Sequence, residues 1–196
     1  MREEELAKEF GVSRTPIRQV LQILEYEGLV TTRPGIGSIV TYVDIKALKD
    51  VYAFRLKLIE IVGELSSPRI SDQEIKVLEN LLEQTKNMIK NFDPKRLALI
   101  YLEFHEQMMK FITNQPLRKV YDQLFHQTAR VWLQILPDLN WEEEVGAMYE
   151  EIRDVIKALK INDICTMATV RRNHMALLLV RINRYLSSAD NGLTNG

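Results

Sequence analysis

Hydrophobic residues recur at the spacing of an α-helix through most of the chain, and two short helical patterns come first. Gly11 separates these two patterns, and Ser13 is a favourable N-cap residue for the second one. Gly28 ends the second pattern. The residues expected to form the buried faces of the two helices are Leu6, Ala7, Phe10, Ile17, Val20, Leu21 and Leu24.

The next segment, LVTTRPGIGSIVTYV, contains two runs rich in β-branched residues on either side of a glycine-rich turn. This pattern predicts a β-hairpin. Two helices followed by a hairpin form a winged helix-turn-helix, and we predict such a domain over residues 1–43.

Residues 44–187 follow a different pattern, which predicts six amphipathic helices. Residues 71–74 read SDQE, a capping box, and prolines or short polar residues open the later helices. Residues 188–196 have little to bury and are predicted to be a disordered tail. The predicted fold class is therefore mainly α, a winged helix-turn-helix domain followed by an all-helical bundle.

Composition and charge narrow the class of protein. The content of 46% hydrophobic and 27% charged residues is typical of a soluble globular protein, and the net charge of -1 gives no overall basic field. Cys165 is the only cysteine, so no intramolecular disulfide can form and a cytoplasmic location is expected. The longest apolar run, residues 175–180, is too short to span a membrane.

A stripe of polar residues lies beside the apolar face of the second predicted helix. Arg14 and Arg18 lie four residues apart and therefore share a helix face. If the first turn enters a DNA major groove, these arginines can reach guanine O6 and N7 or phosphate, while Ser13 and Thr15 offer hydroxyl groups to phosphate. The alternative is that both arginines are merely solvated. The glycine turn before them and the hairpin after them favour DNA binding.

The segment LAKEFGVSRTPIRQVLQILEYEGLVTTRPGIGSIV resembles the DNA-binding domain of the GntR family of bacterial transcription regulators. The segments RLKLIE, YLEFHEQMMKFITNQPL and RRNH are similar to parts of the FadR-type effector domain, called FCD, in its shorter VanR-like six-helix form. The family also has a helix and a strand ahead of EEELA, so we expect this chain to lack the first helix of the winged domain. The DNA contacts that the resemblance implies fall on Ser13, Arg14, Thr15 and Arg18, with the wing tip at Gly35 and Gly37.

Three features depart from the pattern of that family. Glu4 occupies a position where relatives often have an arginine that contacts DNA. Gln19 replaces a common glutamate, and the wing tip PGIG lacks basic residues. We therefore expect an operator sequence that differs from those of close relatives, with fewer DNA contacts.

In many relatives the effector domain holds a divalent metal with one aspartate and three histidines. The matching positions in this chain are Tyr101, His105, Ile152 and His174, so two of the four ligands remain. Sites for zinc, nickel or manganese generally need three or more protein ligands, and a tyrosine phenol stays protonated near neutral pH. We therefore expect no required cofactor and substoichiometric metal, with the degenerate pair His105 and His174 serving as pocket histidines.

Arg55 lies within an apolar helical stripe, between Val51 and Leu58. A guanidinium that faces a core needs an anionic partner, because burying an unpaired charge costs much free energy. That partner is either a glutamate of a neighbouring helix or the carboxylate of a small effector. In domains that the chain resembles, the matching arginine faces a ligand cavity. The resulting prediction is an effector site formed by Arg55, Tyr101, His105 and His174.

These observations together predict a DNA-binding transcription regulator whose affinity for a double-stranded DNA operator is modulated by a small carboxylate effector. A homodimer is expected, because one recognition helix covers only a half-site. We expect residues 42–48, which join the two domains, to transmit the effector's influence. The alternative is a helical ligand-binding adaptor that has lost DNA binding. An enzyme is not expected, since the chain has no nucleotide-binding glycine loop, HExxH motif or nucleophile elbow.

Overall fold

The structure, a computed structural model, describes residues 1–41 and 45–193, with side chains described for residues 1–41 and 47–187. It forms two compact units, and the boundary between them follows Lys49. The helices are α1 (Glu3–Phe10), α2 (Arg14–Tyr26), α3 (Ile45–Leu65), α4 (Asp72–Met88), α5 (Pro94–Lys110), α6 (Gln115–Ile135), α7 (Trp141–Lys160) and α8 (Ile164–Leu193). The strands are β1 (Val30–Arg33) and β2 (Gly37–Val40), and a short 3₁₀ helix (Leu136–Asp138) follows α6.

The first unit has the winged helix-turn-helix order that the sequence predicts. Gly11 ends α1 with a φ of 66°, a left-handed conformation that glycine adopts without strain. The core of this unit is small and brings one face of α1 against α2. Its buried residues are Ala7, Ile17 and Leu21, with Leu6 packed against them.

Two residues assigned to that core by their spacing are exposed. Phe10 is 67% exposed and Val20 is 52% exposed. The contact between α1 and α2 is narrow, and no described residue of the first unit buries the side of the helices that carries them. Helical spacing predicted a wider apolar face than the described part of this unit covers, so the assignment of Phe10 and Val20 to the core was wrong.

The wing is a two-stranded antiparallel hairpin in which Val30 pairs with Val40 and Arg33 pairs with Gly37. The chain start adds to this hairpin, because Met1 and Ser38 exchange backbone hydrogen bonds of 2.8 and 3.0 Å. Gly37 has a φ of 100°, and a Cβ there would lie 2.5 Å from the carbonyl oxygen of Met1. Glycine is therefore required at this position of the wing.

The second unit is a helical bundle in which α4 packs on α7 and α7 packs on α8. Each helix from α4 to α7 has a side-chain cap at its first turn, and the predicted capping box at Ser71 is present in full. The capping residues are Ser71, Asp93, Asn114 and Asn140. These local signals fix where the helices begin, and the helix starts in turn place the side chains of the cavity described below.

The boundaries of the second unit differ from the predicted ones at both ends. Residues 188–193 continue α8 instead of forming the predicted disordered tail, since a helix that has already formed extends at little cost per residue. Residues 194–196 lie outside the described residues, as do residues 42–44 of the segment expected to join the domains. The two units divide after Lys49, within α3, and not at the predicted position after residue 43. None of the described helices is long and apolar enough to cross a membrane.

Candidate nucleic-acid interface and ligand cavity

The first turns of α2 present both predicted arginines at the surface of the first unit. The side chain of Arg14 is 55% exposed and that of Arg18 is 59% exposed. Ser13 occupies the N-cap position with an extended backbone, and its side chain makes no capping hydrogen bond. The hydroxyl groups of Ser13 and Thr15 are exposed beside the arginines, so this end of α2 can donate hydrogen bonds to an external ligand.

Both arginines are paired with glutamates at the start of α1, which the sequence analysis did not predict. Arg14 Nη1 donates to Glu4 Oε1 at 2.7 Å. Arg18 donates to Glu3 through Nε at 3.1 Å and through Nη2 at 3.0 Å. The Arg18 guanidinium lowers the pKa of the Glu3 carboxyl, so Glu3 stays charged. The sequence feature that could have indicated these ion pairs is the run of glutamates at residues 3–5.

An open groove runs between these ion pairs and the wing. The structure thereby brings four of the six predicted DNA contacts to one surface, while Ser13 and Thr15 do not line the groove. Its lining residues include Arg2, Arg14, Arg18, Thr32, Gly35 and Gly37.

The second unit contains a partly open cavity between helices α3, α5, α6, α7 and α8. Its volume is about 30 Å³, which is room for about two waters. A ligand larger than this must displace side chains as it enters. The polar residues of the wall are Arg55, Tyr101, Trp132, Glu144, Glu151, Arg171, His174 and Arg181.

Two glutamates of α7 hold two arginines of α8 in the cavity wall. Arg171 Nη1 lies 2.5 Å from Glu151 Oε1. Arg181 Nε donates to Glu144 Oε1 at 2.5 Å, and the Trp132 indole donates to Glu144 Oε2 at 2.8 Å. Burial alone would lower the pKa of Arg171, but the Glu151 carboxylate raises it above its ordinary value. Both arginines are therefore already paired with a carboxylate.

Arg55 is the exception in this wall. It is 1% exposed, its Nη1 donates to the Thr128 hydroxyl, and its Nε has no hydrogen-bond partner. Its guanidinium carbon lies 5.4 Å from the ring centre of Phe125 and 5.7 Å from those of Tyr52 and Tyr121. No carboxylate among the described residues lies within ion-pair distance of Arg55. Of the two partners left open by the sequence, an internal glutamate is thus not found in the described part of the chain.

The charges of the cavity wall do not cancel. Three guanidinium groups face two carboxylates, so these five groups leave one positive charge over. The unmatched charge is the buried one on Arg55. An anion with a single negative charge would neutralise the wall and supply the acceptor that Arg55 lacks.

The four predicted effector residues are not all brought together. Tyr101 and His174 line the cavity with Arg55, but His105 does not. His105 Nε2 lies 2.8 Å from Asp122 Oδ1, and its ring stacks on Phe125 with 3.4 Å between the ring centres. The predicted place of His105 in the effector site is corrected accordingly: α5 turns this side chain toward Asp122 on α6. Burial lowers the pKa of His105 to about 4, so the ring is neutral near pH 7 and donates to Asp122.

The residues at the positions of the family's metal ligands do not fit a metal ion. Ile152 is apolar, and burial raises the pKa of the Tyr101 phenol and keeps it protonated. One nitrogen of His105 is occupied by Asp122. Across residues 1–41 and 45–193, no group of three or more histidine, cysteine, aspartate or glutamate side chains is placed to hold a metal ion.

Comparison with known proteins finds two family models that match the chain, one in each unit. The model of the family described as bacterial regulatory proteins, gntR family, matches residues 1–40, and the model of the FCD domain matches residues 50–177.

Two relatives of this chain carry the names of transcription regulators. The chain is 32% identical over 119 residues to the uncharacterized HTH-type transcriptional regulator YdhC of Bacillus subtilis (strain 168), covering 60% of this chain and 53% of that protein. It is 30% identical over 122 residues to the gluconate operon transcriptional repressor of Bacillus licheniformis, covering 62% of this chain and 50% of that one. The chain thus spans about half the length of these curated relatives.

Among solved structures, E. coli McbR/YncC aligns with a TM-score of 0.82 at 18% identity, covering 95% of this chain and 87% of that chain. An identity this low supports the shared fold and nothing further.

Proposed function

The chain belongs to the GntR family of bacterial regulatory proteins and contains an FCD domain, and we propose that it is a transcription regulator whose affinity for DNA changes when a small carboxylate binds beside Arg55. The matched family is one of regulatory proteins and not of enzymes. The observation that carries the ligand half of the proposal is the buried guanidinium of Arg55, which has no carboxylate partner among the described residues.

The DNA half of the proposal rests on the exposed end of α2. The N-terminal residues of a recognition helix contact base edges in the major groove, and Arg14 and Arg18 occupy this part of α2. An arginine can donate two hydrogen bonds to O6 and N7 of guanine. Gly35 and Gly37 on the wing carry no side chains, so the backbone there can come close to phosphate.

Replacing either arginine with alanine tests the DNA-binding surface. We expect Arg14→Ala and Arg18→Ala each to weaken binding by about 1–3 kcal/mol, because each removes hydrogen bonds to a base edge. The measurement is a titration of a duplex that the parent protein has enriched from a randomised library. Arg153→Ala, on α7 of the other unit, is the control and should bind as the parent does.

Two outcomes would contradict this assignment. Unchanged affinity in both variants would remove α2 from the DNA contact. Failure of the parent to enrich any duplex would favour the alternative of a ligand-binding adaptor that does not bind DNA.

The proposed ligand is a small monocarboxylate, and the cavity supplies two reasons. One unmatched positive charge in the wall suits one carboxylate, and the remaining lining includes apolar side chains such as Met148 and Leu178. His174 is also at the wall and can donate to a carboxylate or a hydroxyl group. A relative is named a gluconate operon repressor, and gluconate is itself a small monocarboxylate, which makes it a suitable first probe. We propose that no metal ion is required, since the ligand positions are incomplete.

A homodimer in the cytoplasm is the proposed form of the protein. One recognition helix reads one half-site, and a two-fold dimer matches a palindromic operator. Leu177 and Val180 lie three residues apart on α8 and are 56% and 54% exposed. Paired apolar residues on one helix face are available for contact with a second copy of the chain.

A further inference from the structure

The charge of the two DNA-facing arginines is cancelled within the first unit. Arg14 Nη1 donates to Glu4 at 2.7 Å, and its Nη2 lies 3.5 Å from Glu3 Oε2. Arg18 donates to both carboxylate oxygens of Glu3. Two guanidinium groups therefore face two carboxylates, and the surface proposed to approach DNA has no net charge from these four residues.

Glu4 and Glu3 differ in how they hold their partners. Glu3 is 28% exposed and contacts both arginines, which fits a role in positioning them. Glu4 is 72% exposed, and among the described ion pairs it contacts only Arg14. An exposed ion pair of this kind contributes little to stability, so the fold of α1 and α2 does not depend on Glu4. The effect of Glu4 is instead on which groups of the DNA Arg14 can contact.

We propose that Glu4 is a specificity-determining residue, which holds Arg14 away from phosphate and so weakens binding to DNA of arbitrary sequence more than binding to the operator. This inference rests on the proposed function of α2 in DNA binding. Affinity for arbitrary DNA depends on the number of cations that reach phosphate. A phosphate that takes Arg14 must displace the Glu4 carboxylate, which has the same sign of charge and stays close by.

A guanine edge presents a different partner to Arg14. Its O6 and N7 are neutral acceptors, so Glu4 does not repel them as it repels a phosphate. Arg14 has further N–H groups to donate while Nη1 stays on Glu4. The Glu4–Arg14 pair therefore penalises phosphate contact more than base contact, and the ratio of operator affinity to background affinity rises.

The chain offers a matched control in the same helical turn. Glu5 is also exposed in the first turn of α1, and none of the described ion pairs involves it. Glu4→Gln and Glu5→Gln change the net charge and the helix terminus equally. Only Glu4→Gln replaces the charged partner of Arg14 Nη1 with a neutral one, while the longer contact of 3.5 Å between Arg14 and Glu3 remains.

The test compares the parent, Glu4→Gln and Glu5→Gln on two duplexes, one of random sequence and one enriched by the parent, over a range of salt concentrations. On the random duplex we expect Glu4→Gln to bind about three- to ten-fold tighter at low salt, with a salt slope steeper by about 0.9, because one more cation reaches phosphate. Glu5→Gln should stay within about two-fold of the parent. On the enriched duplex the gain from Glu4→Gln should be smaller. Equal shifts from the two variants, or equal gains on the two duplexes, would overturn the proposal.

A second measurement separates the pairing of Glu4 with Arg14 from general repulsion. In an Arg14→Ala background, Glu4→Gln should give no gain on the random duplex, because the released partner is absent. A gain that persists there would show that Glu4 acts without Arg14 and would also overturn the proposal. If the parent binds DNA but its affinity does not depend on Arg14, the proposed function of α2 fails first. If neither the parent nor Glu4→Gln binds any duplex, both proposals fail.

Discussion

Arg55→Met is expected to weaken strongly the binding of small carboxylates by the helical unit without lowering its stability. A guanidinium that is 1% exposed and lacks a carboxylate partner is costly in the free protein, and a bound anion relieves that cost. Removing one partner of a buried charge pair costs about 2–5 kcal/mol, so the affinity should fall by about 30-fold to several thousand-fold. Methionine is unbranched, flexible and apolar, and its thioether packs well against the surrounding aromatic rings.

Thermal unfolding with a panel of small carboxylates, gluconate among them, provides the measurement. The parent should unfold at a higher temperature with the carboxylate that binds, and Arg55→Met should not respond to it. Arg184→Met is the control, because Arg184 also lies on a helix of this unit but is 66% exposed and pairs with Glu143. A variant stabilised as strongly as the parent would exclude Arg55 from the ligand site. A variant that unfolds at a much lower temperature without ligand would show that Arg55 is a structural residue.

Glu144→Ala should cause the largest loss of stability in the helical unit. Glu144 is 2% exposed and accepts hydrogen bonds from both Arg181 and the Trp132 indole. Its removal leaves a mostly buried guanidinium and an indole N–H without their acceptor. Breaking a buried ion pair in this way costs about 3–5 kcal/mol. For a domain of this size we expect a fall in Tm of about 6–20 °C.

Two further variants control for the helix position and for the charge. Glu143→Ala removes the neighbouring carboxylate, which is 43% exposed and lies 3.4 Å from Arg184, and should change Tm little. Glu144→Gln keeps an acceptor for the indole and should fall between Glu143→Ala and Glu144→Ala. Equal stabilities for Glu143→Ala and Glu144→Ala would show that the buried network does not hold α7 and α8 together.

Local signals in the sequence were sufficient to predict much of the fold. Gly11, the capping box at Ser71 and the glycines of the wing each act through backbone geometry within a few residues, so their effect can be read from the sequence. Burial cannot be predicted from such local signals, because it depends on which other residues cover a side chain. Phe10 and Val20 have the correct spacing for a core, yet neither is covered by the described part of the first unit.

In the candidate sites, too, local features could be predicted from the sequence, whereas contacts between distant residues could not. The apolar stripe around Arg55 correctly indicated that it is buried, but the lack of a carboxylate partner could be found only in three dimensions. Arg181 and Glu144 are 37 positions apart, and no spacing rule connects them. The pairing of Glu4 with Arg14 spans the turn between two helices and could not be predicted from the sequence either. His105 was assigned by resemblance, and one contact with Asp122 is enough to take it away from the cavity.

Occupation of the cavity is proposed to change the affinity for DNA, and a linkage measurement tests this most directly. The enriched duplex is titrated with the parent protein in the absence and in the saturating presence of the carboxylate that raised Tm most. A ligand can shift DNA binding only if it binds the DNA-competent and DNA-incompetent forms with different affinities. We predict a change in the Kd for DNA of at least about five-fold, which is the lower end of typical coupling between sites. An unchanged Kd, with the carboxylate shown by calorimetry to be bound, would contradict the claim.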